Sequence, residues 1–413
     1  MNSHNNMLEL FPWITAEFVQ SLIEKSEPNK NVVLKLFNAK KCFNDGENFS
    51  SVMVGLEVVY ENENESEDKQ RDFLLKIAIQ TEDYAKICEE CLIYEREIEA
   101  YTKVLPAVEK SLNSVGVSSQ IAPRCFMADI DRRMLVFEDL RNQQFKSVDR
   151  TYGLDTDHMK LTLENLAKWH AGTVTLLLTD IELFEWYTKR NVYKNAPNVQ
   201  QFWKNLVKSL SNSIKNWTGY EKIAVKLQNI PQKAYDEAYK AFAPRADAFN
   251  VLTHGDMFVN NLLYRHDEHG KPIDIRFVDF PLGKHASPSI DLVTLLYSSS
   301  HSSIRQRDRE HLIQYYHSEL VKYLKLLKFP GKIPTLLDIQ SDCYRIDLFT
   351  TLIILFIVAL RFVDKFHDGG FFDVVNGDQK DGNTSDKLFS HPECTEQVKY
   401  LLDMFDRRGY FDF

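Results

Sequence analysis

The sequence predicts an α+β chain in two lobes, and three observations carry that reading. Up to about residue 140 the apolar residues fall in short β-prone stretches with one helical stretch among them. Beyond residue 140 they follow long helical patterns, and only the segment 251–280 returns to short strands. Strands gathered in one part and helices in another make an α+β arrangement. A length of 413 residues suffices for two sizeable cores. The division falls at 140, giving a β-rich lobe over 1–140 and a helical lobe over 141–413.

Taken in order, "WITAEFVQSLIEK" predicts an amphipathic helix with Thr15 as N-cap, Glu17 in its first turn, and Ile14, Phe18 and Leu22 on one face. Strands follow at 32–39, 51–60 and 72–79, with the acidic stretch 61–68 as a hairpin loop too polar to bury. A helix is expected from Glu82 to Val104, ended by Pro106, and two more strands near "APRCFMADI" and "RRMLVFEDL". The pattern "DHMKLTLENLAKWHAGTV" opens the helical part, and 376–387 reads as a polar loop. No internal repeat is evident.

Bulk composition excludes several classes. A formal charge of −9 with no basic stripe argues against a nucleic-acid footprint. The start, "MNSHNNMLEL", lacks the basic and apolar regions of a signal peptide. The longest apolar run, 348–360, holds two threonines and is too short to span a bilayer, so it reads as a buried helix. Six cysteines without a secretory signal imply reduced thiols and a cytoplasmic setting. Cys88 and Cys91 form a C-x-x-C with no second pair at metal-ligand spacing, and they read as structural residues one helical turn apart.

The informative stretch is "VLTHGDMFVNN". An apolar run leads into His254, Gly255 and Asp256, and Asn261 follows five residues after the Asp. Turn chemistry alone favours Gly, Asp and Asn there. After the polar, hairpin-like "RHDEHGKPID", however, a second apolar run ends in Asp279. An Asp, an Asn and a second Asp delivered to one edge form a magnesium-phosphate constellation. Kinases write it H-R-D-x-x-x-x-N followed by D-F-G; here it reads H-G-D-x-x-x-x-N and then D-F-P.

Such a site needs a cation for the phosphates. Lys76 lies inside "FLLKIAI", on the face of Leu74 and Ala78, and an inward lysine is costly unless paired. Glu97, on the following helix, is its candidate partner, with a surface acid as the plain alternative. The stretch "NDGENFSS" offers Gly46, Asn48, Ser50 and Ser51 around phosphates, although one glycine equally suits an ordinary hairpin turn. A purine is expected at the backbone edge near Glu138 and Leu140.

The block from residue 251 to 297, with "GENFSSVM", "FLLKIA", "EIEAYTKVLP", "VFEDL" and "LENLAKWHA", resembles the ecdysteroid kinase-like (CHK kinase-like) proteins of insects. These belong to the aminoglycoside and choline phosphotransferase superfamily. The resemblance implies a two-lobed protein-kinase-like fold, with a small β-rich N-lobe and a larger helical C-lobe. It implies ATP and Mg2+ as cofactors, Asp256 as catalytic base, Asn261 and Asp279 as Mg2+ ligands, and Lys76 with Glu97 on the α- and β-phosphates. Asp291 resembles the buried acid that braces the catalytic loop, together with His254. The chain departs from the family at Pro281, where the family has Gln and protein kinases Gly; proline fixes φ and removes a donor.

Only eleven residues separate Asp279 from Asp291, no A-P-E follows, and Gly255 replaces the kinase Arg. A long activation segment that shelves a peptide is therefore missing. The expected partner is a small alcohol, by resemblance an ecdysteroid or another apolar alcohol; a choline-type or xenobiotic substrate is the alternative, and an inactive binding protein stays open. A monomer is expected.

Overall fold

The computed structural model describes residues 7–42, 51–63, 65, 67–78, 82–188, 196–229, 236, 240, 242–362 and 389–412. It is α+β, as expected, and groups into two compact units: Met1–Thr81 with Ala122–Lys146, and Glu82–Ile121 with Ser147–Phe413. The division at 140 keeps 82–121 with the strands. By its contacts that helical segment groups instead with the later helices.

The first unit is a five-stranded antiparallel sheet, β1 (Val32–Lys41), β2 (Ser51–Asn62), β3 (Lys69–Ala78), β4 (Cys125–Asp129) and β5 (Met134–Glu138), in the order β1-β2-β3-β5-β4. Period-two alternation gives it two faces. Val54, Leu56, Val58, Phe73, Leu75, Ile77, Met134 and Val136 are buried in one core with Val19, Leu22 and Ile23 of helix α1 (Ala16–Ser26). Each such side chain contributes about 1.5–3 kcal/mol. Thr15 caps α1 as expected, its hydroxyl accepting the Phe18 N–H at 3.3 Å. At the helix's other end Glu27 accepts from Arg71 and from the Tyr60 hydroxyl, which ties α1 to the sheet.

In the second unit, the helix expected over 82–104 is three pieces. Helix α2 (Glu82–Cys91) stops where Leu92 adopts φ +52°; α3 (Ile93–Glu99) then runs through a π turn, Ala100–Val104, into α4 (Leu105–Ser114). Pro106 therefore ends nothing. It sits in the first turn of α4, where a missing N–H costs little. Helix α4 packs on α5 (Thr156–Thr179), and Gly172 permits the approach, since a Cβ there would lie 2.6 Å from Val108 Cγ1. Helix α6 (Ser289–Ser298) is buried along its whole length and packs on α8 (Leu336–Leu360), while α7 (Arg309–Leu326) packs along α5. Among the described residues no helix is long and apolar enough to cross a membrane. None of the six cysteines is in a disulfide, and burial pushes the Cys91 thiol up to about 12.

Candidate active site

Strand β6 is only Val251–Leu252, paired with β9 (His285–Ala286) rather than with the run before Asp279. The hairpin that matters lies between Asn261 and Asp279. Strand β7 (Leu262–His266) pairs with β8 (Pro272–Phe277), Leu262 facing Phe277, and the Val278 N–H donates to the Asn261 carbonyl at 3.0 Å. A short antiparallel hairpin thus brings residues eighteen apart in sequence to one edge.

The loop entering that hairpin is held from behind. Asp291, fully buried in the first turn of α6, accepts the His254 N–H at 2.7 Å and the Gly255 N–H at 2.9 Å. His170 on α5 lies 3.0 Å from the same carboxylate, and its other ring nitrogen is 2.7 Å from the Tyr316 hydroxyl. A carboxylate only accepts, so His170 Nε2 donates. Burial disfavours charge on Asp291, but His170, His254 and the Gly255 N–H outweigh it and hold the carboxyl below its usual value.

His254 is neutral. Its Nδ1 accepts the Asp256 N–H at 3.3 Å and its Nε2 donates to the Val278 carbonyl at 3.1 Å, while burial lowers its pKa. Further along, residues 259–261 form a 3₁₀ turn whose leading N–H, on Val259, donates to Ser299 Oγ at 2.9 Å. Helix α6 and the residue just past its C-terminal end therefore grip the loop at two points.

The turn brings the Asp and the amide together. Asn261 Nδ2 donates to the Asp256 carbonyl and to Asp256 Oδ2, each at 2.9 Å. Burial, and then the charge of Asp279, push the Asp256 carboxyl up to about 7; Asn261 and Lys284 pull the other way. Asp279 has φ +72°, its N–H donating to the Tyr101 hydroxyl at 3.3 Å. Phe280 packs between Tyr101, Trp169 and His254, at ring distances of 5.5, 5.3 and 4.4 Å.

These residues fit a divalent cation. A carboxyl pushed toward protonation by a neighbouring carboxylate is relieved by positive charge between them. Asn261 spends its amide nitrogen on Asp256, which leaves its side-chain oxygen for a hard cation. Among the described residues no group of three or more His, Cys, Asp or Glu is suited to a metal. Mg2+ needs none, taking one or two carboxylates with phosphate oxygens and waters.

With this geometry in place, the comparison with known families is decisive: the model of the ecdysteroid kinase-like family matches residues 45–329. This chain belongs to the ecdysteroid kinase-like family. Among curated protein sequences nothing matches it. Among solved structures, an ethanolamine kinase from Plasmodium vivax aligns over 97% of this chain and 90% of its own, at 12% identity and a TM-score of 0.46. A choline kinase from Streptococcus pneumoniae aligns over 93% and 98%, at 11% identity and a TM-score of 0.40.

The other expected residues of this ecdysteroid kinase-like protein are placed unevenly. Lys76 is half-buried on the sheet face opposite the core, with Leu74 and Ala78, facing Met53 and Leu135 on the neighbouring strands. Glu97 is buried on α3. Gly46, Asn48 and Ser50 lie outside the described residues; Ser51, buried at the start of β2, places its hydroxyl 3.8 Å from Met53 sulfur. The Glu138 N–H donates to the Arg124 carbonyl, and the Leu140 carbonyl accepts the Phe145 N–H. Those two groups already have partners inside the protein.

Sequence reasoning missed His170, Tyr101, Ser299 and Lys284. "LENLAKWHA" displays His170 on an apolar helix face, which was a usable signal. The other three come close only through packing.

Gly255 also gains a reason. Its φ is +83°, and a Cβ there would lie 2.0 Å from the Leu282 carbonyl oxygen, so no arginine fits. The segment after Asp279 is spent on the protein itself. Leu282 abuts Gly255, the Gly283 carbonyl accepts from Arg96 at 3.3 Å, and Lys284 exchanges hydrogen bonds with Thr253. The buried Pro281 belongs to this packed stretch.

Proposed function

We propose that this protein transfers the γ-phosphate of ATP, with Mg2+, to a hydroxyl of an ecdysteroid or similar small apolar alcohol. The observation that carries the reading is Asp256 held by Asn261, beside the charge of Asp279, on a loop fixed by Asp291.

In this reading Asp256 is the base. Its carboxylate takes the hydroxyl proton as the oxygen attacks phosphorus, and Asn261 Nδ2 keeps that carboxylate from rotating. Asn261 and Asp279 hold Mg2+, which when bound supplies charge that offsets the phosphate oxygens. Lys76 and Glu97 position the phosphates, Gly46, Asn48, Ser50 and Ser51 lie along them, and the purine takes the backbone near Glu138 and Leu140. With so little covalent chemistry for the protein to do, most of the rate comes from positioning.

A small substrate is favoured because the stretch after Asp279 is short and its Leu282, Gly283 and Lys284 are committed to Gly255, Arg96 and Thr253, which works against a shelf for a peptide. Cysteines outside any disulfide favour a cytoplasmic setting.

The test incubates the protein with labelled ATP, Mg2+ and three acceptor pools: ecdysteroids with other apolar alcohols, choline, and a protein lysate. Organic-soluble phosphate esters that vanish with Asp256→Asn are expected. Label only in choline phosphate would move the substrate class. Label only in protein, or none, would overturn the reading.

A further inference from the structure

Two unusual backbone features lie in contact. Asp279 holds a left-handed φ of +72°, a conformation that a residue with a Cβ adopts only at a steric cost. Tyr101, whose hydroxyl accepts the Asp279 N–H, lies within the five-residue π turn Ala100–Val104. π turns are rare and concentrate at functional sites.

The turn has a geometric consequence. Steps of four residues overshoot a 3.6-residue turn by about 40° each, so a regular helix would drift. In the π turn the Leu105 N–H reaches back to the Ala100 carbonyl, and the wider turn absorbs the overshoot. Ile93, Glu97, Tyr101 and Leu105, at four-residue spacing, all remain buried. The same stretch is tied to the metal-loop segment at two more places. The Tyr101 ring packs edge-on against Phe280, and Arg96 donates to the Gly283 carbonyl while its own carbonyl accepts the Tyr187 hydroxyl at 2.7 Å.

We propose that the π turn Ala100–Val104 is a positioning device for the loop at Asp279, and that Tyr101 is the positioning residue that keeps Asp279 left-handed. This rests on the reading of Asp279 as a Mg2+ ligand. Without the hydroxyl, Asp279 relaxes toward negative φ, its carboxylate swings off the edge shared with Asn261, and cation binding weakens. The helix bearing Glu97 and the loop bearing Asp279 are then set by one short segment, so both ends of the phosphate chain are aligned before nucleotide arrives.

Tyr101→Phe is the diagnostic variant, because it removes one hydroxyl and keeps the ring on Phe280. Two readouts are needed: calorimetric Mg2+ affinity in the presence of ATP, and amide hydrogen exchange at 279–280 in the protein without ligands. The expected result is Mg2+ affinity about 3- to 10-fold weaker, the worth of one hydrogen bond, with faster exchange at 279–280 and a melting temperature close to the parent's. A parent that requires Mg2+ with a variant matching it in both readouts overturns the inference alone. A parent whose ATP affinity ignores Mg2+ overturns the metal reading of Asp279, and the role given to Tyr101 with it.

Discussion

Gly255 faces Leu282 so closely that a methyl group on the glycine would sit 2.0 Å from the leucine's carbonyl oxygen. That contact joins the loop at His254–Asp256 to the segment after Asp279 and excludes any side chain at 255. Gly255→Ala should therefore destabilise the protein by about 2–5 kcal/mol, combining the left-handed φ with an overpacked contact. Thermal melting checks it; a parent-like melting temperature would show that the loop yields freely.

Removing the brace is expected to act on stability and activity together. Asp291→Ala orphans the His254 and Gly255 N–H groups and the His170 ring, each at about 1–3 kcal/mol. Because the folded carboxyl lies below its usual value, Asp291's contribution is complete at neutral pH and is lost only as pH falls below about 4. Activity lost at an unchanged melting temperature would reassign Asp291 to the chemistry.

His254 gives a second pH signature of the same sign in a different window. Its folded pKa is lowered, chiefly by burial, so below about 6.5 the unfolded chain binds a proton that the folded chain refuses. Stability should be full above pH 6.5 and decline as pH falls from there. Denaturant melts between pH 8 and 5 should show that decline in the parent and a smaller one in His254→Asn.

Asp256 predicts a proton count. Its carboxyl, pushed up to about 7, carries a proton in much of the ligand-free protein at pH 6. A cation at Asp279 cancels part of the charge that raises it, so binding Mg2+ with ATP should release part of a proton at pH 6 and almost none at pH 8.5. Calorimetry in two buffers of unequal ionisation enthalpy measures this. Identical heats at pH 6 would count against the juxtaposition.

The same residue sets the expected kinetics. Asp256→Asn should lower kcat by about 10²–10⁴-fold while leaving nucleotide binding in place. Turnover equal to the parent's, measured with the acceptor that the labelling assay identifies, would remove Asp256 as the base.

What the sequence by itself determined is what one turn, one hairpin or one alternation positions. The spacing of Asp256, Asn261 and Asp279 sufficed because a 3₁₀ turn and a two-stranded hairpin are local structures with fixed reach. Period-two alternation likewise placed Lys76 on one face with Leu74 and Ala78, but it took that face as the inward one, and only the packing of Phe73, Leu75 and Ile77 decided that it lies opposite the core. Everything that holds those residues still was decided by tertiary packing. Tyr101 meets Asp279 across 178 positions, His170 meets Asp291 across 121, and Ser299 meets Val259 across 40. Neither the π turn that overrode the helix end expected at Pro106 nor the carbonyl that forbids a side chain at 255 has a local signature. Each exists because distant segments converge on one interior, where a buried polar group must find a partner and two atoms cannot share a place.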